Sequence, residues 1–527
     1  MRETTRTALR LSAAVVVLLA LSATAFGSAE TETAADERLT ISLISFTPRG
    51  TTLSPDTWTE LWLEERYDVN LEPWYDIDAY DSAAIKVRLA TGDLPNIGAC
   101  QGSIGECVDT GMVREVPREM IMEHMPNWMR WQEHYTGDQK WGRTTVDGVN
   151  YAIPTALSMA STGQVIGFRA DWMRAVGHEP EPVPDRDFFR GPDSFAEIEE
   201  LLLKFRNADP DGDGNKNSYG YMVWKNNADF QRTVLPNLFG SYGIQLHVWD
   251  VRDGKGYYSL VDPNYRDALI YVNTWWEQEI IHPDTPTAVR ADVVRAMAND
   301  EFGSWSELDA WQSNYGAGPW GALRDSHPDA DIAYSITPVG PTGGRGTWYR
   351  NPNWGPVTIG AGTSDEQLIK IMEILESQFS DAESYARVFY GGEQGETWQI
   401  DENGYHVAIP GTGASKDGAT GALLGVRMIS PAHIVPPVDK VYIAPNRHAL
   451  QSWIESHQTP GPGIGFRPSW NEDERALAGN LKTIEQEFAW RGLTGAIDIA
   501  ASWDGYVQDM MDAGLAQLLE SLANKGM

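Results

Sequence analysis

Between residues 39 and 97 short apolar runs alternate with helical patterns, and this alternation limits the possible folds more than any other feature of the chain. Leu39-Thr40-Ile41-Ser42-Leu43-Ile44-Ser45-Phe46 reads as a buried strand closed by Thr47-Pro48-Arg49-Gly50. Ser54-Pro55 then opens a helix with Trp58, Leu61 and Trp62 on one face. A second strand, Val69–Trp74, leads to a helix over Tyr80–Ala90, and Gly92-Asp93-Leu94-Pro95 precedes a short third strand around Ile97. Strands separated by helices form βαβ units, so a mainly parallel sheet in an α/β fold is expected. Ligands of such sheets lie beyond the carboxyl ends of the strands. That directs attention to the loops Thr47–Gly50, Trp74–Asp76 and Cys100–Ser103.

The remaining 430 or so residues continue in the same style, roughly two or three domains or one large α/β body in all. Ser194 with Glu197 makes a capping box before Phe195, Ile198, Leu201, Leu202 and Phe205. Asp262-Pro263, Ser364-Asp365 and Asn471 open three further helices, and Ile332–Pro338 reads as a strand.

Location is suggested by the first 29 residues. Arg2, Arg6 and Arg10 precede the apolar run Leu11–Phe26, and Gly27-Ser28-Ala29 offers small residues for cleavage, so a removable secretory signal is expected. No Cys follows the apolar run, so anchoring through a lipidated N-terminal Cys is not expected; the product is periplasmic or extracellular. The formal net charge of −33 disfavours nucleic acid as a partner, because recognition there needs clustered cations. Cys100 and Cys107 suit a short-loop disulfide in an oxidising compartment. Gly98-Ala99-Cys100-Gln101-Gly102 also imitates a nucleophile elbow, but that needs a following helix, and Ser103-Ile104-Gly105-Glu106 is a weak helix start.

Asp209, Asp211, Asp213, Asn215 and Asn217 place oxygen ligands in the spacing of an EF-hand-like calcium loop, with Ser218 beside them and Gly214 at the sharp turn. Three Asp at alternate positions repel one another unless a cation sits among them. Position 12 is Gly220, where an EF-hand supplies a bidentate Glu. A solvated turn is the alternative.

The chain holds 21 Trp and 20 Tyr. Indole faces match the C–H face of a sugar ring, and polar side chains match its hydroxyls, so carbohydrate is favoured over an amino acid or a bare anion. Trp62, Trp128, Trp276 and Trp490 lie on helical faces and read as core. Trp74, Trp224, Trp305, Trp311, Trp354 and Trp398 stand in loop-like contexts and are candidate ligand contacts. Phe46 and Glu393 complete that list, and Arg49 and Arg350 could hold a uronate carboxylate bidentately.

Five segments carry a likeness to a known family. They are Leu89-Ala90-Thr91-Gly92-Asp93-Leu94-Pro95-Asn96-Ile97, Asp147-Gly148-Val149-Asn150-Tyr151-Ala152-Ile153-Pro154, Phe168-Arg169-Ala170-Asp171-Trp172-Met173, Asp209–Tyr219, and Tyr390-Gly391-Gly392-Glu393-Gln394-Gly395-Glu396-Thr397-Trp398. In order and spacing they resemble the extracellular solute-binding proteins, family 1, of ABC importers, and within it the branch that includes alginate-oligosaccharide binders. The resemblance implies a two-lobed periplasmic-binding-protein fold of type II that closes at a hinge on an oligosaccharide. The closed form would dock, as a monomer, on membrane permease subunits. It also implies discontinuous lobes, with 30–157 and 304–380 in one and 158–303 and 381–527 in the other. By the same likeness Trp305 and Trp398 are the foremost cleft residues, and structural calcium is the implied cofactor. Because family members often end the loop Asp-Glu where this chain has Asn217-Ser218, weaker calcium binding is implied.

The rival class is a secreted polysaccharide-active enzyme, a hydrolase or lyase working through paired carboxylates. The sequence contains no His-Glu-x-x-His and no Gly-x-Ser-x-Gly, and no catalytic residue is assigned.

Overall fold

The computed structural model describes residues 38–44, 55–77, 82–100, 102–156, 164–224, 235–244, 247–308, 318–347, 355–380, 382–402, 404, 406–412, 450, 453, 454, 456, 457 and 470–524. Phe46, Arg49, Trp311, Arg350, Trp354 and the whole of 1–29 lie outside them. Among the described residues no helix is long and apolar enough to cross a membrane.

The first body opens with β1 (Leu39–Leu43) and β2 (Val69–Pro73), paired in parallel from Leu39↔Val69 to Leu43↔Pro73. Their crossover is the helix Trp58–Tyr67. It starts at Thr57 and not at Ser54-Pro55, because Thr57 and Glu60 form a capping box that satisfies both the first-turn donors and the cap. Leu63 fills the core face of this helix and Leu61 is 49% exposed, which corrects the face expected for Leu61. Ile97 makes single bridges, parallel to Leu43 and antiparallel to Ile359, in place of a third strand. Asn96 pins this junction: its Oδ1 accepts from the Ser42 N–H at 2.7 Å and its Nδ2 donates to Thr363 Oγ1 at 3.0 Å. Further on, β3 (Thr145–Val146) and β4 (Val149–Asn150) form a hairpin whose turn residues Asp147 and Gly148 have φ of 48° and 83°. Asp-Gly is the pair that tolerates a turn with two positive φ angles. β5 (Ala152–Ile153) ends this part of the body.

The second body begins with β6 (Gln164–Arg169), buried at every residue. It is joined by β7 (Glu181–Pro182), β8 (Phe189–Arg190), β9 (Tyr219–Tyr221), β12 (Phe302–Leu308) and β13 (Ile332–Ser335) in a six-stranded sheet ordered β7-β8-β13-β6-β12-β9, while β10 (Trp249–Arg252) and β11 (Lys255–Tyr258) make a separate hairpin. β6 runs antiparallel to both neighbours, so this sheet is mixed, which corrects the expectation of a mainly parallel one. The helices Phe195–Asn207 and Pro263–Glu277 start at Ser194 and Asp262 as their caps predict. Trp275 is the fully buried indole of the second helix; Trp276 is only half-buried.

Residues 165–336 and the C-terminal helices Glu472–Leu493 and Ile499–Met510 share one large core. The lobe change expected near Gly303–Ser306 therefore does not occur there: those residues lie inside β12, paired with β6, and β13 follows in the same sheet. Thr347 still bonds Gln164 O, whereas Gly355 O accepts from Thr155 Oγ1, so the chain returns to the first body between 347 and 355. There β14 (Val357–Thr358) pairs with β5, and the helix Asp365–Ser380 closes the first core. Glu376 of that helix accepts from the Asn127 and Trp128 N–H groups, capping a helix that begins with Pro126 and has no cap of its own. The helix Ala382–Tyr390 stays with this body, since Val388 O accepts from Thr59 Oγ1, which moves the expected boundary at 380 onward.

Cys100 and Cys107 form a disulfide with Cα atoms 5.7 Å apart. The helix Ile104–Asp109 does follow Cys100, started by a Ser103/Glu106 capping box, so the weak helix start expected there is corrected. No thiol is left for the elbow chemistry. Reducing the bond is expected to destabilise the first body by about 2 kcal/mol, since the closed loop is short; the urea midpoint with and without reductant measures this. Arg475 of the C-terminal helix reaches across to Asp109 (3.5 Å) and Glu106 (3.8 Å), linking the two bodies.

Candidate functional site

Two aromatic groups stand at the carboxyl ends of strands, one on each body. On the first, Trp74 directly follows β2, and its N–H bonds Leu43 O at 2.9 Å. The indole packs in a cluster with Ile44, Ile85 and Leu89, and the residue is 5% exposed. Arg88 lies over the ring, its guanidinium carbon 4.0 Å from the centroid. Arg88 Nη1 donates to Asp76 at 2.9 Å and Nε to Asp93 at 2.6 Å. These two carboxylates hold the guanidinium charge more firmly than usual, against the opposing effect of burial. Beside Trp74, Tyr75 donates to Glu60; burial raises both the Glu60 carboxyl and the Tyr75 hydroxyl above their ordinary values.

On the second body β9 and β12 run parallel; Trp224 follows the end of β9, and Trp305 lies within β12. The rings of Trp305 and Trp224 are 5.6 Å apart, and Trp320 lies 6.0 Å from Trp305. Trp305, expected as a cleft contact, is fully buried in the sheet. Trp224 is the half-buried member, with Arg290 at 5.8 Å from its ring. Trp398 is likewise fully buried, its Nε1 donating to Gly392 O at 3.0 Å, so it closes the turn before it and presents no free indole. Glu393 in that turn accepts from Arg387 Nε at 2.8 Å. Of the expected set, Trp305 and Trp398 are fully buried, Glu393 is an ion-paired turn residue, and two aromatics follow strand ends, Trp74 beneath Arg88 and the half-buried Trp224. Sequence reasoning missed Arg88, which immediately precedes the first family-like segment and its Asp93.

A third feature is the acidic loop. Carboxylate oxygens of Asp209, Asp211 and Asp213 lie within 4.8 Å of one another. Asp209 Oδ2 accepts from the Gly214 N–H, and Asp213 accepts from the Asn215 N–H, Asn215 Nδ2 and Asn217 Nδ2. Asp209 Oδ1, Asn217 Oδ1 and Ser218 Oγ are buried with no hydrogen-bond partner. Burial, then the neighbouring Asp209 and Asp213, raise the Asp211 carboxyl above its usual range, while hydrogen bonds from Asn215 lower Asp213. Asn215, at position 7 of the loop, can offer its backbone carbonyl while its Nδ2 donates to Asp213. Gly220 explains the missing twelfth ligand: a Cβ there would lie 2.7 Å from Leu202 and 2.8 Å from Ile280, so no Glu fits.

No protein-family model matches this chain. Among curated proteins, the fructooligosaccharide ABC transporter substrate-binding protein FusA of Streptococcus pneumoniae is 23% identical over 257 residues, which span 45% of this chain and 44% of FusA. The match therefore spans less than half of that relative's length. Among solved structures, S. pneumoniae FusA in complex with kestose superposes with a TM-score of 0.68 at 15% identity, covering 92% of this chain and 98% of that one. FusA is also known as an EF-hand mutant in complex with fructo-nystose, with a TM-score of 0.66 and 16% identity over 92% of this chain and 98% of that one. A solute-binding protein of Bifidobacterium longum infantis, associated with an HMO-binding ABC transporter, gives 0.69 at 14% identity over 93% of this chain and 98% of that one. The chain has the fold of these two-domain solute-binding proteins, a mixed α/β architecture with no closed barrel among the described residues.

Proposed function

We propose that this chain is the solute-binding component of an ABC importer, which captures an oligosaccharide between its two bodies and delivers it to membrane permease subunits. The observation that carries the reading is a pair of aromatic rims, Trp74 and Trp224, at strand carboxyl ends on two separate cores. A ligand that touches both rims favours the closed arrangement through contacts absent when the bodies are apart. In this reading the first lobe comprises 30–156 and 355–412, and the second 164–347 and 470–524. The protein works as an exported monomer, released from its N-terminal signal. Names of the structural neighbours support binding over catalysis.

The experiment is a titration of purified protein with oligosaccharides, following Trp fluorescence and products together. Saturable quenching with the sugar recovered intact is expected. New reducing ends or unsaturated products would instead establish the polysaccharide-active enzyme.

The Asp209 loop is read as a structural calcium site. Three partnerless buried oxygens around three clustered carboxylates fit a hard cation, which Asp209, Asp211, Asp213 and Asn217 would hold with the Asn215 carbonyl. Its place between the helix Phe195–Asn207 and β9 gives it a bracing role far from the rims.

A further inference from the structure

We propose that Arg88, with Asp76 and Asp93, sets the charge preference of the Trp74 rim, admitting uncharged sugar rings and rejecting rings that carry a carboxylate. The inference rests on the oligosaccharide-binding reading and narrows its ligand class. A sugar stacks on an indole at van der Waals distance, and the Arg88 guanidinium occupies that position now, 4.0 Å from the ring centroid. Trp74 packs in a cluster with Ile44, Ile85 and Leu89 and is 5% exposed, so a sugar ring reaches the face under Arg88 only by moving Arg88 aside. A free guanidinium would clamp a uronate carboxylate bidentately. Here its Nη1 and Nε already serve Asp76 and Asp93, and two carboxylates face one cation. An incoming carboxylate therefore meets like charge, whereas sugar hydroxyls find unused lone pairs on both Asp side chains. Asp76 and Asp93 are exposed enough to meet a ligand, with side chains 75% and 49% accessible.

The test is calorimetric titration of the full chain with neutral trisaccharides, including kestose and maltotriose, and with trigalacturonate. Wild-type protein should bind a neutral trisaccharide more tightly than the uronate. The D76N/D93N double variant frees the Arg88 charge and should raise the ratio of uronate affinity to neutral-sugar affinity by at least roughly tenfold. Arg88→Ala leaves two unmatched acids and should weaken uronate binding further. If that affinity ratio is the same in wild-type and D76N/D93N protein of unchanged circular dichroism, the assignment to Arg88 falls while oligosaccharide binding stands. Wild-type protein that prefers the uronate also overturns it. Wild-type protein that binds no saccharide removes the underlying reading, and this inference with it.

Discussion

Trp305→Ala is expected to destabilise the second body by about 3–5 kcal/mol, the range for truncating a fully buried large aromatic. Trp305 lies in β12, between β6 and β9, with no exposed surface, and its ring contacts Trp224 and Trp320. Removing it leaves a void that the paired strands on either side cannot collapse to fill. Urea denaturation followed by circular dichroism should show a large drop in midpoint, with saccharide affinity of the folded fraction changed little. Trp224→Ala should behave in the opposite way. Its half-buried ring contributes about 1–2 kcal/mol of stability, but its loss should weaken saccharide binding at least several-fold. A stable Trp305→Ala protein that no longer binds sugar would restore Trp305 as a ligand contact and refute the division between support and rim.

Calcium is expected to stabilise the protein by about 2.7 kcal/mol when free ion stands a hundredfold above its dissociation constant. A chelator should lower the melting temperature correspondingly. The acidic loop also predicts a sign for pH. Asp211 is raised in the metal-free loop by burial and by Asp209 and Asp213, so the folded state holds its proton more tightly than the unfolded chain does. This contribution to metal-free stability falls as pH rises through the raised value and is regained on acidification. Asp211→Asn should therefore raise metal-free stability near neutrality while removing most of the calcium effect. If chelation leaves the melting temperature unchanged, and Asp211→Asn is neutral without metal, the loop is only a turn.

What the sequence disclosed followed the range of the interactions involved. Ser194, Asp262, Ser364 and Asn471 cap helices through bonds to residues two or three positions away, and all four are where local chemistry puts them. Thr57 and Ser103 used the same signal, a Ser or Thr three residues before Glu, and were passed over for the more conspicuous Ser54-Pro55 and for Gly105. The lobe change was misplaced because it depends on strand pairing across the chain: Ile332 meets Arg169, and nothing within β13 itself reports that partner. The burial of Trp305 was not legible for a related reason. β12 is covered on both sides, so Trp305 looked like a loop residue in a segment that is central to its sheet. The clustering of Asp209, Asp211 and Asp213 was readable because all three come from one short stretch of chain.

The late return of the chain to the first body has a consequence in time as well as in space. Ile153 acquires its partner only when Val357 arrives, and Leu368, Ile371 and Met372 complete a core begun by Ile41 and Leu43. A chain emerging from its N-terminus thus carries β1 and β2 with their apolar surface unfinished while the entire β6–β13 sheet is made. The second sheet, whose strands all lie between 164 and 335, can form in the meantime. Loop-closure entropy is met before the long-range contacts repay it, so completion of the first body is the expected slow step. Its strands are also the segments that most need shelter from misassociation during synthesis.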